Sequence, residues 1–283
     1  MAKQKKQIEY RYYEIPDGHY VMALLGDSWV RSYGAEQENL LHFHNYMEIG
    51  YCYWGNGTLT IEDSNVPYKG GIITIIPENI PHETKSFNNG VCKWEYIYID
   101  INNFIRTEMH FKRMLPEEVI KRLNKQGYVI NINQNKVMAA IIRNIIEEYR
   151  ETKPYYKEAV KGYLRAFVVE LLRINEDMST SLTLEEKRLN SYIEKSVNYI
   201  AEHYAEEIKM SDVAFECGLS ESHFRRIFEE SMSMKPLDYL NMIRIDKACE
   251  IIQNKDYAMD EVGFRVGYQT PSTFNRNFKK LTG

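Results

Sequence analysis

Four cysteines are spread over 283 residues, at positions 52, 92, 217 and 249, and no two of them share Cys-x-x-Cys spacing. That argues against both a disulfide framework and a thiolate zinc cluster, and leaves the thiols as buried core residues. No stretch reaches the ~18 apolar residues needed to cross a membrane. The basic opening MAKQKKQIEYRYY also lacks the apolar segment of a signal peptide. The expectation is a cytoplasmic chain with no membrane partner. Positive charge is not in excess either: 36 Lys and Arg against 40 Asp and Glu give a formal net charge of -4. A polyanionic partner would have to be met by a local patch rather than by the whole surface. What remains is a soluble globular composition, 44% hydrophobic and 27% charged, in a length that favours two domains.

The pattern changes along the chain. Residues from about 20 to 105 are rich in Tyr, Ile, Val and Thr and are punctuated by turn signals: GNG at Gly55–Gly57, DSN at Asp63–Asn65 and KGG at Lys69–Gly71. Segments such as TLTIE and IITIIP between these turns predict short antiparallel strands, closing into a β-barrel or β-sandwich. From Asn135, KVMAAIIRNIIEEYRET and YYKEAVKGYLRAFVVELLRI place apolar residues three and four apart on either side of Pro154. They predict an amphipathic helical hairpin. Its residues Ile141, Ile145, Leu164, Val168 and Leu171 are expected to bury part of their surface against a symmetry mate, since one barrel cannot cover every apolar face of two helices. The polar, aperiodic NEDMSTSLTLEE that follows reads as a linker, and everything after it as helix.

A unit occurs twice in this last part. VAFECGLSESHFRRIFEE, from Val213, and VGFRVGYQTPSTFNRNFKK, from Val262, both run Val-(Ala or Gly)-Phe-x-x-Gly, then a polar gap, then Phe-x-Arg-x-Phe. In each, a helix–turn–helix turns at Gly218 or Gly267. If Phe224, Ile227 and Phe228 face inward, then Ser222, Arg225 and Arg226 share the wet face, with His223 beside them. The second copy repeats this with Phe274 and Phe278 inward, and Ser272, Thr273, Asn275 and Arg276 toward solvent. Such side chains hydrogen-bond base edges and phosphates in a major groove, so the partner is double-stranded DNA. The helical stretch Lys235–Gln253 between the copies spans roughly 28 Å at ~1.5 Å per residue, close to the ~34 Å between successive major grooves. One feature opposes this reading: from Lys187 onward there are 14 Lys and Arg against 15 Asp and Glu, so any basic face is local.

Residues 187–283 resemble the C-terminal DNA-binding domain of the AraC/XylS family of transcriptional regulators, through ECGLSESHFRRIFEE, IRIDKACEII and VGFRVGYQTPSTFNRNFKKLTG. The chain departs from the family pattern at Gly263, where alanine is usual and where glycine should loosen the helix. The pattern also continues into a Pro and Tyr-Arg segment beyond Gly283, which implies a further short tail.

The first part carries HFHNYMEIGYCYWGNG, with His42, His44 and Glu48, and then GIITIIPENIPHETKS, ending in His82. These resemble the two cupin motifs, in which three histidines and a glutamate converge inside a small barrel. Asn79 stands at a usual glycine and is expected to take a left-handed turn. No cofactor is required. The four side chains suit a divalent metal such as Zn, Fe, Mn or Ni, and equally suit a metal-free effector pocket with hydrogen-bonding imidazoles. The aromatics Trp29, Tyr46, Tyr51, Tyr53, Trp54 and Trp94 suit a sugar or polyol effector, or plain core.

The resemblance implies an α+β multidomain chain: a cupin-like effector-binding domain over 1–115, a helical dimerisation segment over 116–174, a linker over 175–186 and the DNA-binding domain over 187–283. The C-terminal domain would be all-α, with two helix–turn–helix units. It implies a homodimeric regulator, an activator in contact with RNA polymerase, that is not an enzyme. The rival is a metal-dependent cupin isomerase or dioxygenase fused to a DNA-binding module.

Overall fold

The computed structural model describes residues 8–34, 41–61, 64–112, 114–181, 184–232, 234–254 and 257–282. Their contacts divide the chain into two units, Tyr13–Ser181 and Leu182–Gly283, the second joined by the N-terminal segment up to Tyr12 with its strand β1 (Ile8–Arg11).

The first unit is built on β2 (Val21–Leu24), β3 (Val30–Ser32), β4 (Leu41–His44), β5 (Met47–Trp54), β6 (Asn56–Ile61), β7 (Ser64–Lys69), β8 (Ile72–Ile76), β9 (His82–Ser86), β10 (Val91–Ile99) and β11 (Tyr128–Asn131). In one antiparallel sheet the order is β4-β9-β6-β7; in the other it is β11-β8-β5-β10-β2, with β3 also on β10. The period of two along a strand decides what faces what. On β5, Met47, Ile49 and Tyr51 join one apolar core, while Cys52 joins another. On β10, Ile97 and Ile99 join the first core, while Trp94, Tyr96 and Tyr98 join the second. Even-numbered residues of both strands thus share one face. The register pairs Glu48 with Tyr98 directly on it.

Four helices accompany the strands: α1 (Ile101–Glu108), α2 (Pro116–Leu123), α3 (Lys136–Glu151) and α4 (Tyr156–Ser181). The helical hairpin forms as expected, but its apolar residues do not await a second chain. Ile141, Ile145, Leu164, Val168 and Leu171 are all buried in the same core as Ile49, Ile73 and Ile97. The second sheet offers a full apolar face to the pair, so the surplus that predicted a dimer through these residues is consumed within one chain. The segment 116–174 is also not helical throughout, because β11 pairs with β8. Nor is the stretch from Asn175 an irregular linker: helix α4 continues to Ser181 and α5 begins at Leu184, with residues 182–183 outside the described set.

The second unit comprises α5 (Leu184–His203), α6 (Met210–Glu216), α7 (Glu221–Met232), α8 (Pro236–Asn254), α9 (Met259–Arg265) and α10 (Pro271–Thr282). Strand β1 packs on α10, and the Tyr10 hydroxyl donates to buried Asp246 of α8. Both helix–turn–helix turns close identically. Gly218 and Gly267 take φ of 67° and 92°, which a side chain would strain. Leu219 N–H reaches Ala214 O at 2.9 Å and Tyr268 N–H reaches Gly263 O at 3.0 Å, satisfying the carbonyls that end α6 and α9. Gly263 has a packing reason that its sequence position hides. A Cβ there would fall 2.8 to 3.0 Å from three carbons of the fully buried Phe274, so α9 can lie against that ring only without a side chain.

Candidate effector site and nucleic-acid interface

In the barrel, β4 and β9 pair with His42 opposite His82, and His44 follows two residues on along the same strand face. The rings of His42 and His44 lie 4.3 and 4.8 Å from that of His82, centroid to centroid. Glu48 arrives from β5, its Oε2 3.3 Å from His44 Nε2 and its Oε1 3.5 Å from His82 Nε2. All four side chains that the motifs single out therefore converge, and all are buried. His42, Glu48 and His82 each offer a ligand atom within 4.8 Å of the others. Asn79 takes the left-handed turn at φ 60°, and its N–H donates to His44 O at 2.9 Å.

The backbone fixes the rings. His44 Nδ1 is 2.6 Å from Tyr46 O, and His82 Nδ1 is 3.0 Å from Ile80 O. Burial disfavours a proton charge on His44 and outweighs the pull of Glu48, so its pKa lies below the ordinary imidazole value. Burial alone would raise the Glu48 carboxyl, but the adjacent His82 and His44 imidazoles hold it well below the usual carboxylate range. Two tyrosines that the motifs do not mark complete the cluster. The Tyr98 hydroxyl, kept protonated by burial, donates to Glu48 Oε2 at 2.8 Å and lies 3.0 Å from the Tyr13 hydroxyl, whose ring stacks on Tyr98 at 3.8 Å. The signal for Tyr98 was the alternation WEYIYI: on β10 the residue four after Trp94 must face the barrel interior. Among the aromatics considered, Trp94 and Tyr51 are core, while Trp54 is 47% exposed.

The second candidate site is the pair of helices α7 and α10. Ser220 and Thr270 begin them as N-caps, their hydroxyls accepting from the N–H of His223 and Thr273 at 3.4 and 3.3 Å. Phe224, Ile227, Phe228 and Phe274 are buried. Ser222, His223, Arg225, Arg226, Ser272, Asn275 and Arg276 are exposed, whereas Thr273 is half-buried and engaged with Thr270. The two arginines of α7 are paired within their own helix: Arg225 Nη2 lies 2.7 Å from Glu221, and Arg226 Nη1 donates to both Glu230 oxygens at 3.0 and 2.7 Å. Arg276 has no ion pair among the described residues. The 19-residue α8 joins the two helix–turn–helix copies, as the sequence pattern requires.

A ligand-binding barrel and a doubled helix–turn–helix on one chain define a transcriptional regulator with separate ligand-binding and DNA-binding domains. Comparison with known proteins agrees on both halves. The AraC-like ligand binding domain family matches residues 32–168, and a helix-turn-helix domain family matches residues 213–283. The HTH-type transcriptional activator RhaS of Klebsiella pneumoniae is 22% identical, over 84% of this chain and 83% of its own. The lactose operon transcription activator of Staphylococcus xylosus is also 22% identical, over 80% and 77%. Among solved structures, ToxT of Vibrio cholerae aligns over 93% of this chain and 90% of its own, at 14% identity and a TM-score of 0.49. The chain belongs to the AraC/XylS family of transcriptional regulators. These families and relatives are regulators rather than enzymes. No helix among the described residues is long and apolar enough to cross a membrane.

Proposed function

We propose that this regulator activates transcription in response to a small molecule, of the sugar or polyol class, bound at the histidine–glutamate cluster of the barrel, and that α7 and α10 read two successive major grooves of double-stranded DNA. The observation that carries the DNA reading is the duplicated helix. Two copies with matching hydroxyl caps, a buried phenylalanine at the same place (Phe224 and Phe274) and an outward arginine (Arg226 and Arg276) sit at the ends of one helix of roughly 28 Å, although Phe278, expected inward like Phe228, is only half-buried. Base and phosphate contacts are assigned to Ser222, His223, Arg225 and Arg226, and to Ser272, Thr273, Asn275 and Arg276.

The sugar class is supported by the likeness to the lactose operon activator and by the barrel's composition. Its interior combines aromatic faces with polar tips, and the Nε1–H of buried Trp94 has no hydrogen-bond partner among the described residues. The activator role, with RNA polymerase as partner, rests on the two relatives named as activators. A homodimer belongs to this reading only through surfaces other than the buried face of α3 and α4.

The test is operator binding across an effector titration, for wild type and for His44→Ala. The variant should leave effector-free binding nearly intact and displace the effector response, since coupling of this kind is worth ~1–3 kcal/mol. Identical curves would remove the barrel cluster as the sensor. A thermal-shift screen of sugars and polyols identifies the ligand, because binding to the folded state alone raises the melting temperature.

A further inference from the structure

Trp29, Arg31 and Tyr33 alternate along β3 and its flanks, and the register sets Arg31 opposite Cys92 of β10. Paired residues of antiparallel strands share a face, and Cys92 lies in the aromatic core with Tyr33, Trp94 and Tyr96, so Arg31 points into the barrel. Its guanidinium carbon is 4.8 Å from the centre of the Trp29 ring and 5.0 Å from that of Tyr33, within cation–π range. The rings hold the charge without offering its N–H groups an anion. Arg31 Nε is buried and has no hydrogen-bond partner, and the neighbouring Tyr33 hydroxyl is neutral and donates its own hydrogen to Trp29 O at 3.1 Å. The carboxylates buried in this unit are committed elsewhere: Glu48 accepts from Tyr98, Glu83 pairs with Lys85 at 2.8 Å and Glu95 with Arg150 at 2.6 Å. Arg31 makes no ion pair among the described residues. Packing alone does not explain the choice, because an apolar side chain would fill the same space without the cost of desolvating a charge. Trp94 repeats the imbalance, its Nε1–H unpartnered in the same core.

We infer that the effector is an acidic sugar, a hexuronate or a hexose phosphate, whose oxyanion is taken by the Arg31 guanidinium. The inference rests on the sensing reading proposed above and narrows it from sugars and polyols at large to their anionic forms. Carboxylate and phosphate both match the planar fork of an arginine with paired, charge-assisted hydrogen bonds. A neutral hydroxyl would leave the charge uncompensated. Trp29 and Arg31 are half-buried, whereas Trp94 is 1% exposed, so the anion would sit where it keeps part of its contact with water. That lowers its desolvation cost.

The test is calorimetric titration of the full chain with a panel of neutral hexoses, the matching hexuronates and the matching hexose phosphates. An acidic member should bind at least ~10-fold tighter than its neutral counterpart, as expected for hydrogen bonds to a charged group. The arm that binds, carboxylate or phosphate, identifies the oxyanion. Arg31→Gln should abolish this preference, and Arg31→Lys, which keeps the charge and loses the fork, should retain part of it. Arg173→Gln makes the same charge change on a side chain of α4 that is 69% exposed, and should retain all of it. The melting temperature of each variant without sugar shows whether it is folded. Should Arg31→Gln fail to fold, the wild-type preference for acid over neutral hexose decides alone. The inference is overturned if neutral hexoses bind as tightly as acidic ones, if folded Arg31→Gln keeps the preference, or if no acidic sugar binds at millimolar concentration. The first two outcomes leave sugar sensing intact. The third, with neutral hexoses also silent, removes the sugar class as well, and operator binding by His44→Ala remains the separate test of the barrel as sensor.

Discussion

Replacing Glu230 by Gln should tighten DNA binding, and replacing Arg226 by Ala should weaken it. In the free chain Arg226 is held by Glu230 at 2.7 and 3.0 Å, with the two side chains 59% and 60% exposed. A solvent-exposed pair one helical turn apart is worth only about 0.3–0.5 kcal/mol. A bidentate contact to a base edge is worth ~1–3 kcal/mol, so on the proposed reading DNA should win the competition and recruit the arginine at small cost. Glu230→Gln removes that cost and a negative charge facing the phosphates, for a gain of about twofold in affinity. Arg226→Ala should lose ~5–150-fold if it reads a base. If it touches phosphate, the loss should be uniform across sequences and the salt slope should fall by about 1. Fluorescence anisotropy on an operator fragment selected from a random pool, at several salt concentrations, separates these outcomes. Arg276→Ala is the companion, with no competing carboxylate to release. Unchanged affinity in both arginine variants would refute the interface. Weaker binding by Glu230→Gln would show instead that the glutamate itself accepts from a base.

Three further outcomes follow from packing and charge. Gly263→Ala should destabilise the second unit by ~1–3 kcal/mol in urea unfolding, because overpacking against Phe274 outweighs the helix propensity that alanine adds; a stabilised variant would contradict the close approach. Leu164→Ala should cost ~2–5 kcal/mol, its side chain being fully buried in the shared core of hairpin and sheet, and a cost well under 1 kcal/mol would mean that the hairpin lifts off in solution. Glu95 is a buried carboxylate whose burial would raise its pKa, yet Tyr53, the Gly26 N–H and Arg150 together hold it below the ordinary value. Its contribution to stability is thus present above the unfolded carboxylate range and lost as pH falls through the depressed folded value. Glu95→Gln should cost about 2 kcal/mol at neutral pH, with the gap to wild type closing in acid; a gap independent of pH would exclude the charge as its source.

The doubled helix–turn–helix was legible because its cues are local: Gly218, Gly267, the caps Ser220 and Thr270, and phenylalanines at helical spacing all lie within one short unit. The convergence of His42, His44, Glu48 and His82 was legible through resemblance and through strand alternation. What the residues hid was long-range. Nothing in the amphipathic pattern of Ile141 or Leu171 says whether the covering surface belongs to the same chain, and here it is the second sheet. The polar run after Ile174 reads as a linker because it has no apolar face to bury. A long helix already nucleated by buried residues extends through it at little cost, however. Gly263 looked like a weakness of α9 until Phe274 was placed against it. Tyr13 could not be assigned at all, since its role depends on a ring stacked from a strand 85 residues away.

Strand β1 gives the second unit an unexpected boundary. Its fold is not a contiguous stretch of sequence, for it draws on residues at both ends of the chain, and the polypeptide passes between the units twice, after Tyr12 and after Ser181. A fragment that starts at residue 182 would leave behind the strand that packs on α10 and the hydroxyl that donates to Asp246. Transplanting this DNA-reading unit onto another sensor therefore requires moving two pieces of chain. A protease cut in the α4–α5 connection alone would still leave the halves covalently tied through residues 12 and 13.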